Sequence, residues 1–263
     1  MKGLFITGTD TDIGKTALSA LLLAELRQRG RNAAPMKPAQ TGCKKKDFRP
    51  EALDLGADKN SQSPIPKAQS LFSVPDLDYS LSMASMKVDS ETYSNMAPYT
   101  FEPACSPHLA AKMIGTEIDL AEIVIAARTL AKTYDFIIAE GAGGIMVPLN
   151  HRETMLDLMQ ALKLPIVIAA RPGLGTINHT LLSIRALRSD GLKIVGIVFV
   201  TTHPNKPSFI EEDNIATIEH FGKVPILGTI PYCAQLGEPN PNYSNLPLPV
   251  ITETEKILNQ LEV

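Results

Sequence analysis

The sequence is poor in cysteine, in net positive charge and in long apolar runs, and each shortage removes a class of function. Only three cysteines stand in 263 residues, Cys43, Cys105 and Cys233. Their odd number and wide spacing exclude a disulfide framework and the paired spacing of a metal knuckle. They are expected to be buried or idle thiols. Lysine and arginine total 25 against 28 aspartates and glutamates, a formal net charge of -3. A protein that grips nucleic acid through a broad basic face is therefore not expected. The longest apolar runs, at 166–170 and 194–200, fall far short of the ~20 residues that span a bilayer. Residues 1–8 are apolar but too short for a secretory core, and Asp10 and Asp12 follow at once. A cytoplasmic protein without a membrane partner is expected. No internal repeat is visible.

What is present is a globular composition, 44% hydrophobic and 20% charged, with a regular alternation of patterns. Short runs rich in Val, Ile and Ala predict strands at 4–7, 33–37, 135–140, 165–170, 193–200 and 225–230. Helical spacing of apolar residues predicts helices at 17–29, 118–132, 154–162, 177–188, 209–221 and 252–261. Gly30 sits where a glycine ends the first helix. Strands apolar on both faces and separated by helices predict a parallel sheet covered on both sides, an α/β fold. Residues 43–98 break the rhythm, being rich in Ser, Pro, Asp and Lys. They are read as an irregular insertion in one domain of residues 1–263, with a helix near 77–86 and the rest loop. The triplet Lys44, Lys45 and Lys46 is expected to be a solvated tip.

Four motifs carry chemistry. Gly8-Thr-Asp-Thr-Asp-Ile-Gly-Lys-Thr16 follows a strand and opens a helix, the context of a phosphate loop. Free amides and the helix dipole favour an anion there. Gly14 lets the backbone approach phosphate, Lys15 supplies charge to the β- and γ-phosphates, and Thr16 offers a hydroxyl to Mg²⁺. The usual first glycine would fall at Thr9, and Gly8 stands one residue earlier. Met36-Lys-Pro-Ala-Gln-Thr-Gly42 places Lys37 at a strand end, where ligands sit in open parallel sheets. A second lysine near the γ-phosphate would stabilise charge developing during transfer. Glu140 ends another strand before Gly141-Ala-Gly-Gly144, the place for a second metal ligand. Gly173-Leu-Gly-Thr-Ile-Asn-His179 opens one more helix, suited to a carboxylate or phosphate, with His179 read as a packed or surface histidine.

Together with Pro98–His108 and Gly228–Tyr232, these motifs occur in the order of the dethiobiotin synthetase family, which the chain resembles over most of its length outside 43–98. The resemblance implies a P-loop NTPase-type fold. It also implies a homodimeric, ATP- and Mg²⁺-dependent cyclo-ligase acting on 7,8-diaminopelargonic acid and CO₂. One amine forms a carbamate, ATP converts it to a carbamic-phosphoric anhydride, and the second amine closes the ring. Carried over by position, Lys37 resembles the catalytic lysine, with Lys15 beside it. Asp12, Ile13, Gly14, Lys15, Thr16, Ala17, Glu140, Gly141, Ala142 and Gly143 resemble the phosphate cradle. Pro231, Tyr232, Cys233 and Glu238 resemble the adenosine pocket, and Thr11 and Thr41 resemble substrate contacts. Gly175, Thr176 and Asn178 resemble the dock of the substrate's distal carboxylate, reached from the partner subunit in a shared active site. Thr16 and Glu140 resemble Mg²⁺ ligands.

Two positions depart from the family pattern. Val200, followed by Thr201 and Thr202, stands where an adenine-reading Asn is usual. The family's metal- and nucleotide-binding Asp has four candidates, Asp54, Asp58, Asp76 and Asp78, and Asp76 is preferred because Asp-Leu-Asp-Tyr at the start of a helical stretch best resembles the family's Asp. A rival reading is a P-loop switch ATPase of the partitioning type. That class carries a lysine five residues before the one in Gly-Lys-Thr, where this chain has Asp10. It would also need a basic amphipathic C-terminal helix, whereas 252–263 is acidic. An amidating ligase of corrinoid synthesis would need a glutaminase domain, which these 263 residues are not expected to hold.

Overall fold

In a computed structural model, which describes residues 1–45, 72–204 and 208–261, six parallel strands form the central sheet. They are β1 (Gly3–Gly8), β2 (Ala33–Met36), β7 (Phe136–Glu140), β8 (Ile166–Ala170), β9 (Ile194–Val200) and β10 (Ile226–Ile230), in the order β10-β9-β8-β1-β7-β2. Two further pairs are short: β3 (Ala39–Gln40) with β6 (Tyr99–Thr100), and β4 (Lys44–Lys45) with β5 (Phe72–Ser73). The long strands are largely apolar because both faces of the sheet are covered, polar residues such as Thr7 and Glu140 standing toward their carboxyl ends. In β1, Phe5 joins one buried cluster with Ile137, Leu158 and Ile184, while Leu4 and Ile6 join another with Leu22, Val198 and Ile257. The alternation follows from the two-residue period of a strand.

The helix α1 (Lys15–Gln28) and the closing helix α9 (Leu248–Gln260) cover the second face. On the first lie α5 (Leu120–Thr133), α6 (Met155–Leu162), α7 (Thr176–Ser189) and α8 (Phe209–Gly222). Every residue from Leu18 to Leu26 in α1 is buried. A helix apolar all round must be enclosed, and α9 together with α2 (Pro75–Met83) flanks it against the sheet. Its buried Glu25 is paired with Arg29 at 2.6 Å and accepts a hydrogen bond from the Tyr243 hydroxyl at 2.9 Å. Gly30 follows the helix with φ of 77°, the left-handed turn expected of it.

The described parts of the segment 43–98, residues 43–45 and 72–98, are more regular than their composition implies. The helix expected near 77–86 is α2, two residues earlier, with Pro75 in its first turn. Within the stretch expected to be loop, α3 (Ser90–Met96) is capped by Asp89, whose carboxylate accepts from the Thr92 amide at 2.8 Å. A fourth helix, α4 (Pro107–Met113), also escaped the sequence pattern. The closing helix begins four residues before the expected 252, because prolines are tolerated in a first turn. Lys44 and Lys45 are exposed, as a solvated tip requires, and Lys46 lies outside the described residues.

Candidate active site

The carboxyl ends of β2, β7 and β1 lie side by side and bring the candidate residues together. Register pairs Ile6 with Glu140 and Met36 with Ala139, so Lys37 emerges beside Glu140 and the loop after β1. That loop turns through left-handed conformations at Asp12 (φ 54°) and Gly14 (φ 93°). A β-carbon on Gly14 would lie 2.5 Å from Val200 Cγ1, so only glycine fits. A β-carbon on Gly8 would meet Ile13 Cδ1 at 2.5 Å, which explains why a glycine stands there. Lys15 donates to the Asp10 carbonyl, an acceptor within its own loop. Burial, followed by the nearby Lys37 charge, lowers its pKa to about 8.

Lys37 is the centre of the site. Its ammonium lies 2.6 Å from Asp76 Oδ2 and 2.7 Å from Glu140 Oε1, and it donates to the Gly141 carbonyl at 3.3 Å. The side chain is only 5% exposed. Burial opposes its charge, but the two carboxylates outweigh burial and raise its pKa. The Thr16 hydroxyl donates to the same Glu140 oxygen at 2.8 Å. Two carboxylates and a hydroxyl thus converge at the start of α1. Among the described residues no group of three or more His, Cys, Asp or Glu is suited to a metal ion. Hard oxygen donors that supply only part of a shell fit Mg²⁺, which keeps waters and takes phosphate oxygens for the rest.

The fold separates the candidate aspartates. Asp76 faces Lys37 across the site. Asp78 accepts from the Tyr93 hydroxyl at 2.7 Å and the Val74 amide at 3.1 Å, which anchors α2. Asp54 and Asp58 lie outside the described residues.

These groups open into a cavity of about 960 Å³. Of the residues singled out in the sequence, Thr11, Asp12, Gly14, Lys15, Thr16, Ala17, Lys37, Thr41, Asp76, Glu140, Ala142, Gly143, Tyr232 and Cys233 line it. Others do not. Ile13 is fully buried and props the loop from beneath. Gly141 packs on Phe5 and Met155 and reaches the site through its carbonyl. Pro231 and Glu238 lie outside the lining, as do Gly175, Thr176 and Asn178 at the start of α7. Thr176 is buried against Thr180, with 3.3 Å between their hydroxyl oxygens, so it faces inward rather than toward a ligand. Asn178 and His179 are exposed.

Several lining residues were not singled out. Cys105 and Ser106 fall within the matched Pro98–His108 segment; Cys105 is half-buried and lines the cavity, while Cys233 is buried as expected and also reaches the cavity wall. Tyr79 also lines it, and its three-residue spacing from Asp76 on a helix was the available signal. Val200 packs against Gly14, and the Thr201 amide donates to the Ile230 carbonyl at 3.0 Å.

The sequence profile of a family described as "AAA domain" matches residues 2–240. The ATP-dependent dethiobiotin synthetase BioD of Anoxybacillus flavithermus is 37% identical over 235 residues, covering 88% of this chain and 92% of that protein. The protein of the same name from Anaeromyxobacter sp. (strain K) is 38% identical over 229 residues, covering 86% and 90%. Among solved structures, a chain of the MinC:MinD cell division protein complex of Aquifex aeolicus has a TM-score of 0.60 at 14% identity. That alignment covers 100% of this chain and 96% of the other, a likeness of fold alone. Curated relatives above 30% identity span nearly the whole chain and share one name, so the chain belongs to the dethiobiotin synthetase family.

Proposed function

We propose that this protein closes the ureido ring of dethiobiotin from 7,8-diaminopelargonic acid, CO₂ and ATP, releasing ADP and phosphate. The observation that carries this reading is the Lys37 ammonium held between Asp76 and Glu140 at the mouth of a phosphate loop. A carbamate formed on one amine is an anion. Its oxygen attacks the γ-phosphorus, and ADP leaves. The second amine then attacks the carbamic-phosphoric anhydride at carbon, and phosphate leaves as the ring closes. Lys37 and Lys15 stabilise the charge that develops on the transferring phosphoryl group, in a site that is already organised before reaction. Lys15 exchanges the Asp10 carbonyl for phosphate oxygens. The cavity holds both amines near the anhydride, which makes ring closure an oriented intramolecular step. Thr16, Glu140 and Asp76 would hold Mg²⁺, whose chemistry there is to neutralise phosphate charge and align the triphosphate.

Thr11 and Thr41 are assigned to the diamine side of the cavity, the 142–143 turn to the phosphates, and residues 232–233 to the nucleoside side. Pro231 and Glu238 flank residues 232–233 in sequence and are assigned to the rim of the same adenosine pocket. The exposed start of α7 lies outside the cavity, and neighbouring Leu174 is 91% exposed. Both support a homodimer in which the exposed Gly175 and Asn178 bind the distal carboxylate of substrate seated on a partner copy, with Thr176 bracing that helix start from within. We take residues 1–263 as one ligase domain working in the cytoplasm; no described helix is long and apolar enough to cross a membrane.

The test supplies pure protein with diaminopelargonic acid, labelled bicarbonate, Mg²⁺ and ATP. Acid-stable label in dethiobiotin, with matching ADP, is expected. ATP hydrolysis without label incorporation would return the reading to a switch ATPase.

A further inference from the structure

The helix α2 runs along the cavity. Asp76 and Tyr79 are three residues apart, so they share one face of the helix, with about 4.5 Å of rise between them. Asp76 marks the phosphate end through Lys37. The Tyr79 hydroxyl donates to the Leu236 carbonyl at 2.8 Å, in the turn that follows β10. Ser82, three residues further, donates to the Pro241 carbonyl at 3.0 Å. One helix face therefore spans the site from the phosphates to the wall formed after Ile230. Tyr79 lines the cavity there beside Ala17, Val200, Cys233 and Leu236.

Two features fix how such a ring would act. Its hydroxyl donates to a backbone carbonyl, so the ring is held in place and the hydroxyl proton is not available to a base edge. Burial, with Cys233 next to it, pushes the phenol pKa up, so the group stays neutral. Two neighbouring groups do not read an edge either. Val200 bears no hydrogen-bonding group on its side chain, and the Thr201 amide is occupied by Ile230.

We propose that the ring of Tyr79 is a contact surface for the nucleotide base, and that base recognition here rests on ring contact more than on edge hydrogen bonds. The proposal rests on reading the cavity as a nucleotide site. Base–aromatic stacking is tolerant of base identity because every base has a π-face. Adenine, guanine and cytosine nucleotides should then bind with similar affinity.

The experiment compares ADP, GDP, CDP and inorganic tripolyphosphate by titration calorimetry. Tyr79→Leu removes the ring, and Tyr79→Phe keeps it while deleting the hydroxyl. Y79L is expected to weaken all three nucleotides by about tenfold and to leave tripolyphosphate unchanged. Y79F should stay within about threefold. Equal loss for tripolyphosphate and ADP would make Tyr79 a brace for α2 and overturn the proposal. So would no loss in Y79L, or an equal loss in Y79F. A measurement on the unaltered protein guards against misfolded variants: with its six tyrosines ring-labelled, the Tyr79 signal should move on adding ADP but not tripolyphosphate. An unmoved signal overturns the proposal. Failure of the unaltered protein to bind ADP at all would instead sink the reading of the site.

Discussion

At the residue scale, Lys37 concentrates the most charge in the least solvent. Replacing it by methionine keeps most of its volume and removes the cation between Asp76 and Glu140. Turnover should fall by about 10²- to 10³-fold, the scale seen when one charge-stabilising group is lost from a reacting centre. Steady-state kinetics with a circular dichroism control checks this; near-normal turnover would reduce Lys37 to a structural ion pair. Gly14 is tested differently. Alanine there must adopt φ near 93° and crowd Val200. The expected cost is about 2 kcal/mol, seen as a melting point roughly 4–8 °C lower, together with loss of nucleotide binding. Cys43 gives a pH prediction. Burial raises its pKa to about 11, so the thiolate is scarce at neutral pH. Iodoacetamide should leave Cys43 unlabelled from pH 7 to 9 by peptide mass mapping, with labelling only as pH climbs toward 11. The lysines and Glu140 were legible because each follows a readable strand. Asp76 could not be separated from Asp78 by residue type alone, since both open the same helix; only their partners distinguish them.

At the element scale, the six long strands were visible because a strand buried on both faces is a continuous apolar run. Their ends fall within about one residue of expectation, and those ends are where the site residues stand. Short helices were less legible. The seven residues of α3 and of α4 give too few turns for an apolar period to show, and packing against the rest of the fold holds them. Caps are readable where the pattern is complete. Ser208 and Glu211 form a capping box at the start of α8, the Ser208 amide donating to Glu211 at 3.0 Å. Ser208→Ala should cost about 1 kcal/mol, a fall of roughly 2–4 °C in thermal melting. An unchanged melting point would mean that solvent satisfies those amides equally well.

At the scale of the whole molecule, the proposed shared site makes a prediction that no single chain can satisfy. Variants Lys37→Met and Asn178→Asp, each inactive alone, should regain part of the activity when mixed and allowed to exchange subunits, because one heterodimer site is then intact. Absence of recovery despite demonstrated exchange would place the whole site within one chain. The sequence by itself determined the class of fold, the phosphate loop and the strand-end residues Lys37 and Glu140. Those depend on local period and on turn geometry, both written in neighbouring residues. Tertiary structure alone decided that Asp76 meets Lys37, that Val200 closes on Gly14, and that Tyr79 reaches the turn after β10. Each of these joins residues far apart in the chain, and the packing of α1, α2 and the sheet, which no local pattern encodes, sets which of them meet.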